Sequence, residues 1–347
     1  MRPATLKDVA AECGVSVPTA SRVLNGGGHV SAETRRRIHE AAERLDFRPN
    51  ALAQSFALGR SFTVGVLAQK ASGNFSTPVI TGIIAELSRR DVAVLVYDDE
   101  DNVSARPDNL RTLQARRVDG IIVVGDGTDM PFPSISKMFR TPVIHVFGVS
   151  ESPEDTCFLP DDVQAGRLAA AHLLDQGRTR IAHVTAMRYS RAVRGRLKGF
   201  SAELEAAGRP LALAEPLFGD WTIPWGYRAG QELVDRFGAF DAIFCGNDYI
   251  ALGITRAFER AGIRVPEDVA LVGYDNWSKY SGSPDRFLTS IDPKLNELGH
   301  LAASALLSQE PSKRPNGINY QSCELVPGMS SGMLPFDELG AVAFRLD

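Results

Sequence analysis

From residue 62 onward, short apolar runs alternate with amphipathic stretches over most of the chain. An apolar run such as Thr63–Ala68 predicts a buried strand, and an amphipathic stretch such as Val163–Gln176 predicts a helix. Strands that are apolar throughout belong to parallel sheets covered by helices on both faces, so we predict an α/β core. The predicted strands are Thr63–Ala68, Val92–Tyr97, Asp119–Gly125, Val143–Phe147, Arg180–Thr185, Ala242–Cys245 and Val269–Gly273. The predicted helices are Val79–Arg90, Ala105–Arg117, Val163–Gln176, Arg194–Ala207, Trp225–Phe237, Tyr249–Ala261 and Leu295–Leu307.

This alternating region divides into two half-similar blocks, about residues 62–160 and 161–290. Two such blocks predict two stacked lobes, each a doubly wound parallel sheet. Ligands of open α/β sheets bind beyond the carboxyl ends of the strands. We therefore expect a small-molecule site in the cleft between the two lobes.

The first 60 residues carry a different pattern, in which three short helices are separated by breaks. Thr5, Ser16 and Ser31 are each placed to cap a helix, and Gly14 lies at the turn between the first two helices. Two short helices joined by a Gly-containing turn form the helix-turn-helix pattern of DNA-binding proteins. We therefore predict a small all-α head. Its predicted helices are Leu6–Cys13, Val17–Leu24 and a third helix after Ser31 through about Leu45.

The second predicted helix has two distinct faces. Ala20 and Val23 lie on the face that can pack inside the head. Arg22 lies on the opposite face, and it is the side chain there that can make two hydrogen bonds to guanine O6 and N7. The opposite face consists of Val17, Pro18, Ser21 and Arg22. Four more polar residues can contact DNA phosphates and so position this helix, namely Thr5, Ser16, Asn25 and His29.

The net charge of −4 is unevenly distributed along the chain. Residues 1–60 contain nine Lys or Arg and six Asp or Glu, a net charge of +3 that leaves −7 for the remainder. A basic head on an acidic body indicates that only the head approaches a polyanion. The charges and the helix faces leave one alternative open, a small three-helix bundle with a plain solvated face.

The head resembles the N-terminus of the LacI/GalR repressor family. The family's V-S-x-x-T-x-S-R-V-L-N motif stands here as residues 15–25, Val15 to Asn25, without a gap. The resemblance extends more weakly over nearly the whole chain. It implies a sequence-specific transcriptional repressor whose core has the architecture of the periplasmic sugar-binding proteins. A homodimer is expected, because two heads need a two-fold axis to read a near-palindromic double-stranded operator.

The segment after the third helix carries the signals of one more short helix. Pro49 stops the preceding helix, and Asn50 can cap a new one that is too short to be stable alone in water. The resemblance implies that this is a hinge helix, which orders on DNA and inserts an apolar wedge into the minor groove. Phe56 aligns with the wedge position, and Ala53 lies one turn before it. The alternative is that Phe56 packs under the core domain.

Polar and aromatic residues lie at the predicted strand-to-helix junctions, where a cleft ligand would bind. The resemblance implies effector contacts by Arg196 in an R-x-x-G-F/W motif, Asn247 in an N-D-x-x-A-x-G motif and Asp275 in a G-Y/F-D motif. It also implies a stacking role for Trp221, and Phe75 is a further stacking candidate in the loop after the first strand. Such groups suit a mono- or oligosaccharide, which needs hydrogen bonds for its hydroxyls and an apolar surface for its C–H face. The alternatives are helix caps for Asn247 and Asp275, lobe packing for Trp221, and an ion pair between the lobes for Arg196.

Other functions are not indicated. The chain lacks a phosphate-binding loop, a zinc-protease motif and a nucleophile elbow, so we predict neither catalysis nor a cofactor. The four cysteines lie far apart with no C-x-x-C pair, which fits reduced thiols and no metal. The chain has no apolar run long enough for a membrane span and no visible signal peptide, so we expect a cytoplasmic protein. The rival candidates are a transport-type sugar-binding protein and a carbohydrate-acting enzyme, but the former has no use for residues 1–60.

These features predict four parts along the chain. Residues 1–48 form the helix-turn-helix domain, and residues 49–60 form the hinge helix or linker. Residues 61–161 and 291–325 form the N-terminal lobe of the effector core. Residues 162–290 and 326–347 form its C-terminal lobe.

Overall fold

The computed structural model of the protein describes residues 4–24, 27, 29–48, 59–99, 106–127, 131–281, 287–308 and 315–332. Contacts divide the chain into two units, residues 1–62 with 115–119 and residues 63–114 with 120–347. The first unit contains the helical head, and the second contains both lobes of the α/β core. No helix in these described ranges is long and apolar enough to cross a membrane.

The head consists of three helices, α1 (Leu6–Glu12), α2 (Val17–Leu24) and α3 (Ala32–Arg44). Their inward faces form one small core around Val9, Val23 and Ile38, which are completely buried. Gly14 has a φ of +63° in the turn between α1 and α2, a left-handed conformation that a side chain would strain.

Two predicted helix caps of the head are present. The Ser31 Oγ accepts a hydrogen bond from the Thr34 backbone N–H at 3.2 Å, at the start of α3. The Ser16 Oγ accepts from the Thr19 N–H at 3.3 Å, at the start of α2. Each cap offers a side-chain acceptor to a backbone N–H in the first turn of its helix.

The core alternates strands and helices as predicted, in two six-stranded sheets. In chain order, its elements are β1 (Thr63–Ala68), α4 (Ser76–Ser88), β2 (Ala93–Asp98), α5 (Arg106–Ala115), β3 (Gly120–Val124), β4 (Val143–Val146), β5 (Thr156–Pro160), α6 (Asp162–Asp175), β6 (Ile181–Thr185), α7 (Arg191–Ala206), β7 (Leu217–Phe218), α8 (Ile223–Val234), β8 (Ala242–Cys245), α9 (Asp248–Ala261), β9 (Ala270–Tyr274), α10 (Ser278–Ser281), β10 (Thr289–Asp292), α11 (Leu295–Leu306), β11 (Ile318–Gln321) and β12 (Glu324–Val326).

The first sheet has the order β11-β5-β4-β3-β1-β2, and all its pairings are parallel. The second sheet has the order β12-β10-β9-β8-β6-β7, in which only β12 is antiparallel to its neighbour. In the first lobe, α4 and α11 bury apolar side chains against one face of the sheet. In the second lobe, a separate apolar cluster covers each face of the sheet. Apolar strands covered in this way place the core of each lobe around its own sheet.

The chain crosses between the lobes three times. It passes from β5 to α6, returns from β10 to α11, and crosses again from β11 to β12. The predicted boundary between residues 290 and 291 falls inside β10, and the boundary between 325 and 326 falls inside β12. Both strands belong to the second sheet, because they pair with β9 and with each other.

Five strands are present that the apolar pattern does not predict, namely β5, β7, β10, β11 and β12. β10 contains polar residues that are nevertheless buried, because their side chains are hydrogen bonded. The Thr289 Oγ1 donates to the Gly328 carbonyl at 2.9 Å, and the Ser290 Oγ donates to Asp248 Oδ1 at 2.7 Å. β7 has only two residues, and β11 and β12 are edge strands with partly exposed residues. A purely apolar criterion therefore misses these four strands.

Helix α7 begins at Arg191, three residues before the predicted start at Arg194. The Ser190 Oγ accepts a hydrogen bond from the Val193 N–H and so caps the helix at the earlier position. This earlier start adds Arg191 to the first turn of the helix.

Candidate functional site

The outward face of α2 is as predicted. Ala20 and Val23 are completely buried, whereas Arg22 is exposed and Val17 is 36% exposed. The Arg22 Nε donates to the Pro18 carbonyl at 3.2 Å, which holds the stem of the side chain along the helix. Pro18 is exposed and Ser21 is partly exposed on the same face. The geometry therefore leaves this face accessible to the edges of bases in a groove.

The remaining DNA-binding candidates differ in their surroundings. Thr5 caps α1, and its backbone N and its Oγ1 both donate to Asp8 Oδ2, at 2.8 and 2.7 Å. Ser16 caps α2 and is exposed, and His29 is exposed as well. The capping roles hold Thr5 and Ser16 at helix amino ends, where backbone N–H groups make a favourable position for an anion. Three candidates lie outside the described residues, namely Asn25, Ala53 and Phe56.

A cavity of about 600 Å³ lies between the two lobes of the core. Its volume lies in the range of small-molecule sites. The structure brings all five predicted effector residues into its lining, namely Phe75, Arg196, Trp221, Asn247 and Asp275. The first of these belongs to the first lobe and the other four to the second lobe, so the cavity has contributions from both sides.

Arg196 is buried in the wall of the cavity, with 7% of its surface exposed. Its Nε donates to Asp162 Oδ1 at 2.9 Å, and its Nη1 donates to the Gly246 carbonyl at 2.5 Å. Burial alone lowers the pKa of Arg196, but Tyr274, Asp162 and Asp275 outweigh burial and raise that pKa above its ordinary value. Asp162 begins α6 in the same lobe, so the ion pair forms within one lobe and not between lobes. Arg196 is therefore a fixed cation in the second lobe.

Asn247 has the capping role that the sequence left open. Its Oδ1 accepts from the Ile250 N–H at 2.9 Å at the start of α9, and its Nδ2 donates to the Trp221 carbonyl at 3.2 Å. The second bond ties the loop that carries Trp221 to the end of β8. Trp221 also packs against one apolar cluster of the second lobe, and its ring lies 5.4 Å from the Arg196 guanidinium carbon. Both residues thus shape the cavity as well as line it.

Asp275 combines burial, strain and an open acceptor. Its surface is 5% exposed, and its φ of +106° is one that side-chain-bearing residues rarely adopt. Among the described residues, no donor bonds to its Oδ2. Burial raises the pKa of Asp275 well above its ordinary value. Buried polar atoms without partners are rare in proteins, and this one lies in the wall of the cavity.

An aromatic group that joins the two lobes was not predicted. Phe75 stacks on Phe147 in the first lobe, with ring centroids 5.6 Å apart, and lies 5.2 Å from Trp277 in the second lobe. Beside it, the Asn74 Nδ2 donates to the Tyr249 hydroxyl at 3.0 Å, again across the cleft. We call the two contacts that cross the cleft, Phe75 with Trp277 and Asn74 with Tyr249, the interlobe latch. Tyr249 and Trp277 each lie two residues after a predicted site residue, but nothing local in the sequence indicates their partners in the other lobe.

Metal-binding and thiol chemistry receive no support from the described part of the chain. No group of three or more His, Cys, Asp or Glu residues there is arranged to hold a metal ion. The four cysteines are buried and unbonded to each other.

Comparisons with known proteins agree with this division into two units. Residues 5–50 match the family model of bacterial regulatory proteins of the lacI family. Residues 61–322 match the model of periplasmic binding proteins and the sugar-binding domain of the LacI family. The boundary between the two matches falls in the segment that the sequence predicts to be a linker.

Individual relatives match most of the chain. The ribose operon repressor of Escherichia coli K12 is 30% identical over 88% of this chain and 92% of its own length. The Lac repressor dimer bound to operator and the anti-inducer ONPF has a TM-score of 0.71 at 27% identity, covering 96% of this chain and 100% of that chain. A LacI family transcriptional regulator from Enterococcus faecium with bound ribose has a TM-score of 0.61 at 26% identity. That match covers 79% of this chain and 100% of that chain. With a helix-turn-helix head, a two-lobed core and these matches, the chain belongs to the LacI family of DNA-binding regulatory proteins and not to a family of enzymes.

Proposed function

We propose that this protein is a repressor whose affinity for operator DNA is set by a sugar bound between its lobes. One observation carries the proposal: five residues that the sequence singles out at distant positions line a single interlobe cavity. The ribose operon repressor and the ribose-bound regulator among its relatives support a sugar as the class of effector. A transport-type protein is not favoured, because residues 5–50 match the regulatory family model.

On the DNA side, the roles of the head residues rest on the exposed face of α2. Arg22 reads a guanine, while Val17, Pro18 and Ser21 contact the groove, and phosphate contacts come from Thr5, Ser16, Asn25 and His29. Ala53 and Phe56 act in the hinge helix, with Phe56 as the minor-groove wedge. These residues work in pairs in a homodimer, because a two-fold axis matches a near-palindromic operator. The protein acts in the cytoplasm, where its DNA is.

On the effector side, each lining residue has a distinct task. Asp275 accepts hydrogen bonds from sugar hydroxyls through its open oxygen, and Arg196 donates from the cavity wall. Trp221 and Phe75 offer flat faces to the C–H side of the ring. Asn247 holds the Trp221 loop in place and contributes a further polar group to the cavity.

The proposed domains are the four predicted parts, except that the whole of β10 and the whole of β12 belong to the second lobe.

The mechanism couples the angle between the lobes to the hinge. A ligand that contacts both lobes favours one relative angle, because it binds that state more tightly than the other. The weak hinge helices then order or melt, which changes operator affinity by about 1–3 kcal/mol, the usual scale of such coupling. Either sign of the effect is thermodynamically allowed.

Two measurements test this function. Selection from a random duplex library, followed by fluorescence anisotropy, identifies the operator and gives its affinity. A thermal-shift screen against carbohydrates identifies the effector, because ligands of the folded state raise the melting temperature. The same sugar is then expected to change operator affinity. A dimer that binds all duplexes equally, with and without every sugar that shifts its melting temperature, would contradict the proposal.

A further inference from the structure

Two adjacent arginines at the turn between α5 and β3 have no role in the function described so far. Arg116 and Arg117 are both exposed, although the chain after residue 60 has a net charge of −7. Asp119, the acid nearest to them in the sequence, pairs instead with Arg60 at 3.6 Å. Among the described residues, no carboxylate lies within ion-pair distance of either arginine. The pair is therefore a local concentration of positive charge on an acidic body.

The same turn holds the end of the linker that comes from the head. The Asp119 carboxylate accepts a hydrogen bond from the Ser61 N–H at 2.8 Å and another from the Phe62 N–H at 2.9 Å. These residues and the two arginines all belong to the unit that contains the head. Because the arginines lie two and three residues before Asp119, they are fixed beside the end of the linker.

This position does not serve the effector. β3 begins at Gly120, next to the turn, and ends at Val124. Asp126 and Gly127, which line the interlobe cavity, follow the other end of the strand. A strand of five residues spans about 16 Å. The arginines therefore lie at the end of β3 that is opposite to the effector, and an anion that they bind must come from another partner.

We propose that Arg116 and Arg117 bind phosphates of the DNA beside the minor-groove site of the hinge, so that the protein contacts DNA beyond its head and hinge. The inference rests on the proposed function, because it takes Phe56 as the wedge in that groove. Phe56 and Ser61 are five residues apart, and an extended chain of that length spans at most about 18 Å. The chain thus keeps the arginines near any DNA that holds Phe56. Arginine suits the task because its planar guanidinium donates two parallel hydrogen bonds to a phosphate.

The test measures operator binding by the full-length protein as a function of salt. Each phosphate that a protein neutralises releases counterions, so log affinity falls against log salt with a slope of about −0.9 per phosphate. The double variant Arg116→Gln/Arg117→Gln should make this slope less steep by about 2 to 4 for a dimer, and should weaken binding at low salt at least about 10-fold. Since phosphates carry no sequence information, the operator and its single-base variants should lose affinity by the same factor.

Two further variants control for charge and for folding. Arg209→Gln removes an exposed arginine at the amino-terminal edge of the other sheet, where the Ala212 N–H bonds to the Ile181 carbonyl. This control should leave the slope and the affinity unchanged. Arg117→Gly suits the backbone, because Arg117 has a φ of +51°, which glycine adopts freely. It should change the slope about half as much as the double variant, with an unchanged melting temperature.

Neutral methylphosphonates locate the contact on the DNA. In the wild type, replacement of a contacted phosphate beside the hinge site should weaken operator binding. The same replacement should have no further effect on the double variant, because the arginines and the phosphate form one interaction. Replacements that weaken both proteins equally would show that the arginines do not contact those phosphates.

The outcomes separate the inference from the proposed function. A slope that becomes less steep in the variants of Arg116 and Arg117, but not in Arg209→Gln, supports the inference. An unchanged slope in the double variant overturns it, even if affinity falls, because the arginines would then act on the linker and not on phosphate. A sugar-responsive repressor with that unchanged slope keeps the function and loses the inference. A protein that prefers no duplex contradicts the function itself, and the inference falls with it.

Discussion

Arg22 illustrates how one residue of the head can carry base specificity. It is the cation on the exposed face of α2, and two buried neighbours, Ala20 and Val23, fix the rotation of the helix. Contacts to phosphates position a protein on DNA, but contacts to base edges select a sequence. Loss of Arg22 should therefore affect preference more than general affinity.

The variant Arg22→Ala is expected to lose about 1–3 kcal/mol of operator affinity and to relax preference at one base position. Arg22→Lys is the control, because it keeps the charge but not the two-pronged geometry. Anisotropy with the operator and with single-base variants provides the measurement. An equal loss on all duplexes, matched by no loss for Arg22→Lys, would show that the residue only contacts phosphate.

Asp275, a residue of the cleft, lowers the stability of the folded protein at neutral pH. Because burial raises the pKa of its carboxyl, ionisation at neutral pH is unfavourable in the folded state. Asp275→Asn is expected to raise the free energy of unfolding at pH 7, because a neutral amide does not have to take up a proton when the protein folds. The gain should vanish at about pH 3, where the carboxyl is mostly protonated in the unfolded state as well as in the folded state. Urea unfolding at both pH values measures it, and a less stable variant at pH 7 would refute this view.

The interlobe latch acts at the level of elements, since it joins the loop before α4 to the starts of α9 and α10. Its hydrogen bond from the Asn74 Nδ2 to the Tyr249 hydroxyl spans 3.0 Å, and the Phe75 and Trp277 rings lie in contact beside it. These contacts form only when the lobes are close together. The latch should therefore favour the same closed arrangement that a ligand in the cleft favours.

Tyr249→Phe removes the hydroxyl of the latch and little else. We expect about a 3- to 10-fold loss of effector affinity, the value of one hydrogen bond, with an unchanged melting temperature in the absence of ligand. Tyr227→Phe is the control, because its hydroxyl accepts from Arg260 at 2.8 Å within the second lobe. Calorimetry with the best compound of the carbohydrate screen measures both variants. Equal affinities for the two variants would mean that the latch does not assist closure.

At the scale of the whole molecule, buried histidines link stability to pH. Burial lowers the pKa of His145 to about 4, and it lowers that of His183 to about 4 as well. Both are completely buried in their sheets, one in each lobe. A histidine whose pKa is lower in the folded state stabilises the fold above its ordinary pKa near 6.5, and that stability is lost as the pH falls toward 4.

The variant His145→Leu is expected to lose less stability than the wild type when the pH falls from 7 to 4.5. Neither ring nitrogen of His145 has a hydrogen-bond partner among the described residues, so the change should not destabilise the protein at pH 7 by more than about 1 kcal/mol. His39→Gln, at an exposed position in the head, is the control. Chemical unfolding across this pH range measures the slope. If stability changed with pH as steeply in this variant as in the wild type, His145 would not contribute to the pH dependence of stability.

Short stretches of neighbouring residues were sufficient to predict much of this fold. Hydrophobic period, caps and turns are properties of a few neighbouring residues, so they predicted the three head helices and the buried strands that form the middle of each sheet. The five effector candidates also carry local signals, because each lies near a junction between a strand and a helix. Their convergence on one cleft follows from the rule that ligands bind at the carboxyl ends of parallel strands.

Other features depend on residues that are far apart in the chain. The edge strands β11 and β12 are short and partly exposed, and they become strands only by pairing with β5 and β10. The partner of Arg196 within its own lobe and the contact of Phe75 with Trp277 across the cleft are likewise invisible to a local pattern. Which charges meet in the cavity is set by the packing of the two lobes, because electrostatic and ring contacts depend on distance in space. No window of neighbouring residues contains that information.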